Sequence, residues 1–129
     1  KPKPDVALSS FAFLFSEFIQ YHHARVSQLD DLEAKLSGIG YQVGARMLEL
    51  LTFRDKNAKR ETKLLSMLSF IASTVWKTLF GKTAELEKSS EKENIYMIVE
   101  TSSIVNKFIS VPRDMQEFFT SSAFVAGIV

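Results

Sequence analysis

Between residues 29 and 54 the sequence holds a helical rhythm for about seven turns. Apolar side chains fall at Leu29, Leu32, Leu36, Ile39, Val43, Met47 and Leu50, a spacing of three and four that gathers them on one face of an α-helix. The pattern predicts one long helix to about Arg54, or two with a bend near residues 38–40. Either way the rest of the chain must supply a surface to cover that face. The stretch 36–51, LSGIGYQVGARMLELL, also carries glycines at 38, 40 and 44. A glycine inside a helix costs about 1 kcal/mol relative to alanine, so three cost roughly 3 kcal/mol. Gly40 and Gly44 are four apart and stack on one helical row. Their missing side chains let a second helix approach closely, and packing at that short range can offset the lost propensity. The neighbour is either another helix of this chain or a helix of a partner.

Other elements follow from similar patterns. Residues 1–5, KPKPD, read as a solvated tail. Ser9 or Ser10 offers an N-cap oxygen, and Phe11, Leu14, Phe15, Phe18 and His22 continue at helical spacing to about Arg25. Phe13 lies well off that stripe, so the apolar surface is wider than one core-facing stripe requires. Ser27 with Asp30 resembles a capping box, and Asp30, Asp31 and Glu33 place negative charge where the helix dipole favours it. After the polar residues 54–63, Leu64, Leu68, Ile71, Val75 and Leu79 mark a third helix, which Leu65, Ala72, Trp76 and Phe80 widen. Gly81 suits its C-cap.

Residues 82–94 are polar and read as a short pairing segment or a loop around a turn. Residues 95–99, IYMIV, are apolar on both alternating faces and predict a strand covered on both sides. Residues 108–111 form a weaker strand candidate, closed by Pro112. Residues 121–129, SSAFVAGIV, begin like a capped helix and end on an apolar run, which suggests that the native sequence continues. Helices followed by strand and helix predict an α+β fold, helices layered on a small sheet.

At 129 residues the chain fits a single domain able to bury a real core. Eleven phenylalanines are many for this length and ask for extra burial. The net charge of +1 and the absence of interleaved basic and aromatic residues give no footprint for nucleic acid. There is no cysteine, which removes disulfides, thiolate metal sites, a cysteine nucleophile and thioester lipid attachment, and fits a cytosolic protein. No secretory signal opens the chain, and no apolar run approaches the roughly 20 residues of a membrane span.

Chemistry-bearing constellations are few. His22 and His23 are adjacent, so on a helix they diverge by about 100° and cannot share a metal. The glycines of GIGYQVG sit inside helical periodicity with no Gly-Lys-Ser/Thr after them, so no phosphate loop is present. Arg46 and Glu49 are placed for a local ion pair. Arg54, Lys56, Lys59, Arg60 and Lys63 crowd five basic groups into ten residues. They read as a solvated loop, or as a contact for anionic lipid headgroups or an acidic partner face. No catalytic set, metal site or cofactor site is expected.

Gly40, Gly44, Arg46 and Glu49 in GYQVGARMLE, then Arg60-Glu61-Thr62 and VWKTLFG, resemble the small subunits of the TRAPP vesicle-tethering complex. SSFAFLFSE, IYMIVE and FISVP support the likeness, which covers nearly the whole chain. The resemblance implies helices packed on one side of a small twisted antiparallel sheet, and further C-terminal strands absent from this chain. It implies a non-catalytic scaffold that pairs with other TRAPP small subunits, one of them acylated, through helical faces. The assembled core promotes nucleotide exchange on a Rab GTPase in ER-to-Golgi transport, which implies a cytoplasmic protein peripheral to Golgi and ER membranes. One branch of the family carries a buried acylated cysteine just ahead of the Arg-Glu-Thr element. The matching position here is near Lys56, so that acyl group does not carry over.

Five residues stand out for a partner interface: Phe13, Leu14, Ile39, Val43 and Met47, whose apolar surface exceeds what one layer of core can bury. The alternative is a small-molecule or lipid-binding α+β domain with the phenylalanines around a cavity.

Overall fold

In the computed structural model the described residues are 6–55, 60–92, 94–113 and 119–129. The elements in chain order are α1 (Leu8–His23), α2 (Leu29–Arg54), α3 (Leu64–Phe70), a π-helical turn (Ile71–Val75), α4 (Trp76–Phe80), β1 (Glu85–Lys88), β2 (Tyr96–Val99) and α5 (Ala123–Ile128). They fall into two compact units, one of Lys1–Gly44 with Ser103–Val129, the other of Ala45–Ser102.

In the first unit α1 begins earlier than its serines suggest. Ala7 is the N-cap and makes no side-chain cap bond, while Ser9 and Ser10 lie inside the first turn. Residues 8–10 are exposed, so water can satisfy the first N–H groups and no hydroxyl cap is required. The helix also stops at His23 instead of running to Arg25. The Arg25 guanidinium donates to the Tyr21 carbonyl at 2.9 Å and lies 3.5 Å from the centre of the Tyr21 ring. A basic side chain thus satisfies a terminal carbonyl that another turn would have used.

α2 is one continuous helix of 26 residues. Leu32 and Leu36, with Phe119, form a buried cluster that Phe18, Ile19, Val26, Leu29, Val111, Ala123 and Phe124 surround. Fully burying a leucine contributes about 1.5–3 kcal/mol, so these two positions anchor the unit. Aromatic packing extends the core: Phe15 stacks on Phe11 at 5.6 Å and on Phe18 at 6.0 Å, and meets Phe124 at 5.4 Å. Much of the phenylalanine excess is therefore used inside this unit.

The expected strand at 108–111 does not form. Residues 104–108 are turns, with Asn106 donating to the Ser103 carbonyl at 3.3 Å and Ile109 to that of Asn106 at 3.3 Å. These i to i+3 bonds use the groups a ladder would need. Val105 is buried and Val111 joins the core cluster.

In the second unit the third helix is broken by its π turn. There the Ala72 carbonyl accepts the Ala84 N–H at 2.8 Å, a bond from the wide turn to the residue just ahead of β1. Ala72, Val75 and Trp76 are buried around it. Gly81 ends α4 with φ +76°, the left-handed conformation that glycine adopts without a Cβ penalty. β1 and β2 form a two-stranded antiparallel sheet that pairs Glu85 with Val99, Leu86 with Ile98, Glu87 with Met97 and Lys88 with Tyr96. The polar segment thus supplies the second strand.

β2 is not covered on both sides as its composition suggests: Tyr96 and Ile98 are half-buried, while Met97 is 44% and Val99 37% exposed. A two-stranded hairpin has two faces, and among the described residues only one of them meets a layer of structure. At its base the Lys82 ammonium lies 3.0 Å from Glu100 Oε1 and donates to the Ser102 carbonyl.

Candidate partner-binding surface

Phe13 and Leu14 sit side by side on α1, 75% and 71% exposed. Their neighbours Phe11, Phe15 and Phe18 turn inward, because Phe15 and Phe18 reach Phe124 across the unit. With the core face occupied, Phe13 projects from the far side of the helix and Leu14 from the flank of the apolar stripe, and both are mostly exposed. On α2, Ile39, Val43 and Met47 are each half-buried, following at intervals of four along one row. Tyr41, Leu48 and Phe53 on the same helix are more exposed than any of these. Like Phe13 on α1, they fall outside the core-facing stripe of their helix, here the one that begins at Leu29.

Gly40 and Gly44 meet α5. A Cβ on Gly40 would lie 2.1 Å from the Phe124 carbonyl oxygen, and one on Gly44 would lie 2.3 Å from that of Ile128. The contact is mutual, since a Cβ on Gly127 would lie 2.0 Å from the Ser37 carbonyl oxygen. The close neighbour at these positions is a helix of this chain.

Polar side chains pin the same segment. Glu33 Oε1 accepts the Thr120 N–H at 2.7 Å, a role that its place near the start of α2 did not signal. Asn106 Nδ2 donates to Ser122 Oγ at 2.8 Å, and the buried Ser121 hydroxyl bonds to the Val105 carbonyl and Asn106 Oδ1. Arg46 and Glu49 form no ion pair with each other; both are exposed. An ion pair forms instead between Lys82 and Glu100.

Arg54 closes α2 and Lys63 is the N-cap of α3. Both are exposed, as is Arg60; Lys56 and Lys59 lie outside the described residues. His22 packs edge-on against Phe18 at 4.8 Å and Tyr21 at 5.2 Å, which gives it a packing role. No group of His, Asp and Glu among the described residues could hold a metal ion. An open hollow of about 230 Å³ is lined by His23, Val26, Ser27, Gln28 and Leu29, below the usual range of ligand pockets. Among the described residues no helix is long and apolar enough to cross a membrane.

The sequence model of the transport protein particle (TRAPP) component family matches residues 11–129. The chain belongs to that family. Trafficking protein particle complex subunit 5 of Dictyostelium discoideum is 55% identical over 130 residues, covering 100% of this chain and 69% of that protein. The human protein of the same name is 42% identical with the same coverage. The fold agrees with that of a TRAPP complex subunit 3 from Naegleria fowleri, solved covalently bound to palmitic acid. The superposition has a TM-score of 0.78 at 19% identity and covers 94% of this chain and 74% of that one. Helices with a small antiparallel sheet are thus the architecture of this TRAPP chain.

Proposed function

We propose that this chain is a scaffold subunit of a TRAPP-type vesicle-tethering complex, both units acting as one domain, and that it associates with another TRAPP small subunit through α1 and α2. The observation that carries the reading is the pair Phe13 and Leu14, two large apolar side chains standing 75% and 71% exposed beside a helix face already filled by Phe15 and Phe18. Large anchors of this kind dominate binding energy when a partner desolvates them. Ile39, Val43 and Met47 extend the interface as a half-covered row.

In this reading the chain carries no chemistry of its own. It supports an assembled core that promotes nucleotide exchange on a Rab GTPase in ER-to-Golgi transport, and it works in the cytoplasm at Golgi and ER membranes. The partner is an acylated TRAPP small subunit, which supplies the lipid that a chain without cysteine cannot attach through a thioester. Arg54, Lys56, Lys59, Arg60 and Lys63 offer charge to anionic headgroups, each worth about 1 kcal/mol near a membrane surface.

Size-exclusion chromatography with light scattering tests the reading, on the chain alone and co-expressed with an acylated TRAPP small subunit. A stable one-to-one complex is expected. A monomer that ignores the partner would overturn it.

A further inference from the structure

The hairpin presents a second exposed apolar row, in the other unit from α1. Antiparallel register sets Glu85 opposite Val99 and Glu87 opposite Met97, and directly opposed residues share a face. That face is divided lengthwise, with two exposed carboxylates on β1 and apolar Met97 and Val99 on β2. Ile95, of the same parity and just ahead of β2, is 42% exposed and continues the row. The opposite face holds Leu86, Tyr96 and Ile98, all half-buried. Lys88 belongs there too, since it pairs with Tyr96, so neither strand puts a cation on the exposed face.

We propose that this face docks an amphipathic helix of a protein partner, one that presents an apolar row flanked by lysine or arginine. Four strand residues span about 13 Å, which about nine helical residues match at 1.5 Å each. The unbranched Met97 side chain adapts to an irregular apolar ridge. Glu85 and Glu87 select the flank: a basic edge meets two opposite charges, and an acidic edge meets two like ones. The Glu-lined side also orients the helix, because its charged flank must lie over β1 when its apolar row lies over β2.

The absence of cysteine makes the test direct, since Met97→Cys introduces a unique thiol. Its maleimide labelling in the full chain is followed with two synthetic helical peptides of about sixteen residues. They share one leucine row and differ only in a lysine or a glutamate flank. The lysine peptide is expected to slow labelling by about fivefold or more, and the glutamate peptide by less than about twofold. Glu85→Lys combined with Glu87→Lys, with an unchanged circular dichroism spectrum, is expected to exchange the two results. Equal protection by both peptides, or protection by neither, overturns the proposal. So does a thiol already shielded without peptide, whether dilution relieves it, marking a second copy, or a longer form of the chain covers it.

Discussion

The carbonyl oxygen of Phe124 lies 2.1 Å from the point where any Cβ on residue 40 would sit. The obstacle is backbone, so no rotamer change relieves it. α5 has six residues, too few to hold helical form by itself, and its seat against the bare Cα atoms of α2 is what fixes it. Gly40→Ala would gain about 1 kcal/mol of helix propensity. Separating the helices would cost about 1–3 kcal/mol, or more where backbone must move. A net loss of stability is expected. Gly38 faces open space within 4 Å, so Gly38→Ala should instead gain up to about 1 kcal/mol. Urea denaturation of the two variants should shift in opposite directions.

α2 and the Gly40–Gly44 row were legible in the sequence because helical periodicity and four-residue spacing are local signals. What lies against that row was not, since Phe124 and Ile128 stand more than eighty residues away along the chain. β1 was legible only as one of two alternatives, a pairing segment or a loop: Glu-Leu-Glu-Lys carries one apolar residue, and its place comes from pairing with β2. Residues 108–111 misled because β-branched composition matches a strand, whereas turn hydrogen bonds and the packing of half-buried Val111 against the core cluster decide the conformation. The π turn has no local signature, because its Ala72 carbonyl is matched to an N–H twelve residues on. Phe13 was readable as an off-stripe residue, and the same off-stripe signal applies to Tyr41 and Phe53.

The Glu33 carboxylate ties the start of α2 to Thr120 at 2.7 Å. Glu33→Ala leaves that N–H without its charged acceptor and should cost about 1 kcal/mol. Glu33→Gln keeps an acceptor oxygen and should recover most of the loss. Hydrogen exchange at the Thr120 amide separates the local effect from a global one. It should quicken in Glu33→Ala, and an unchanged rate would count against the tie.

At the hairpin base the Lys82 and Glu100 charges meet at 3.0 Å, with Glu100 8% and Lys82 39% exposed. Glu100 Oε1 has no aligned hydrogen-bond partner, so the attraction is mainly Coulombic. Removing one partner of a fully buried pair costs about 3–5 kcal/mol. Solvent reaches Lys82, so Lys82→Met should cost roughly 1–3 kcal/mol after screening. Lys82→Met combined with Glu100→Leu should restore much of it, because no charge is then left unpaired. A double-mutant cycle in thermal unfolding measures the coupling.

Phe13 and Phe15 are two positions apart and have opposite surroundings. Phe15 is buried against Phe11, Phe18 and Phe124, and Phe15→Ala should cost about 3–5 kcal/mol of stability. Phe13 buries little within the chain, so Phe13→Asp should move stability by no more than about 0.5 kcal/mol. It should nevertheless abolish co-elution with an acylated TRAPP small subunit, because a charge placed at a desolvated anchor has no partner. Circular dichroism and light scattering on the same samples separate folding from association. A Phe13→Asp variant that keeps its helicity and still binds equally well would remove α1 from the interface.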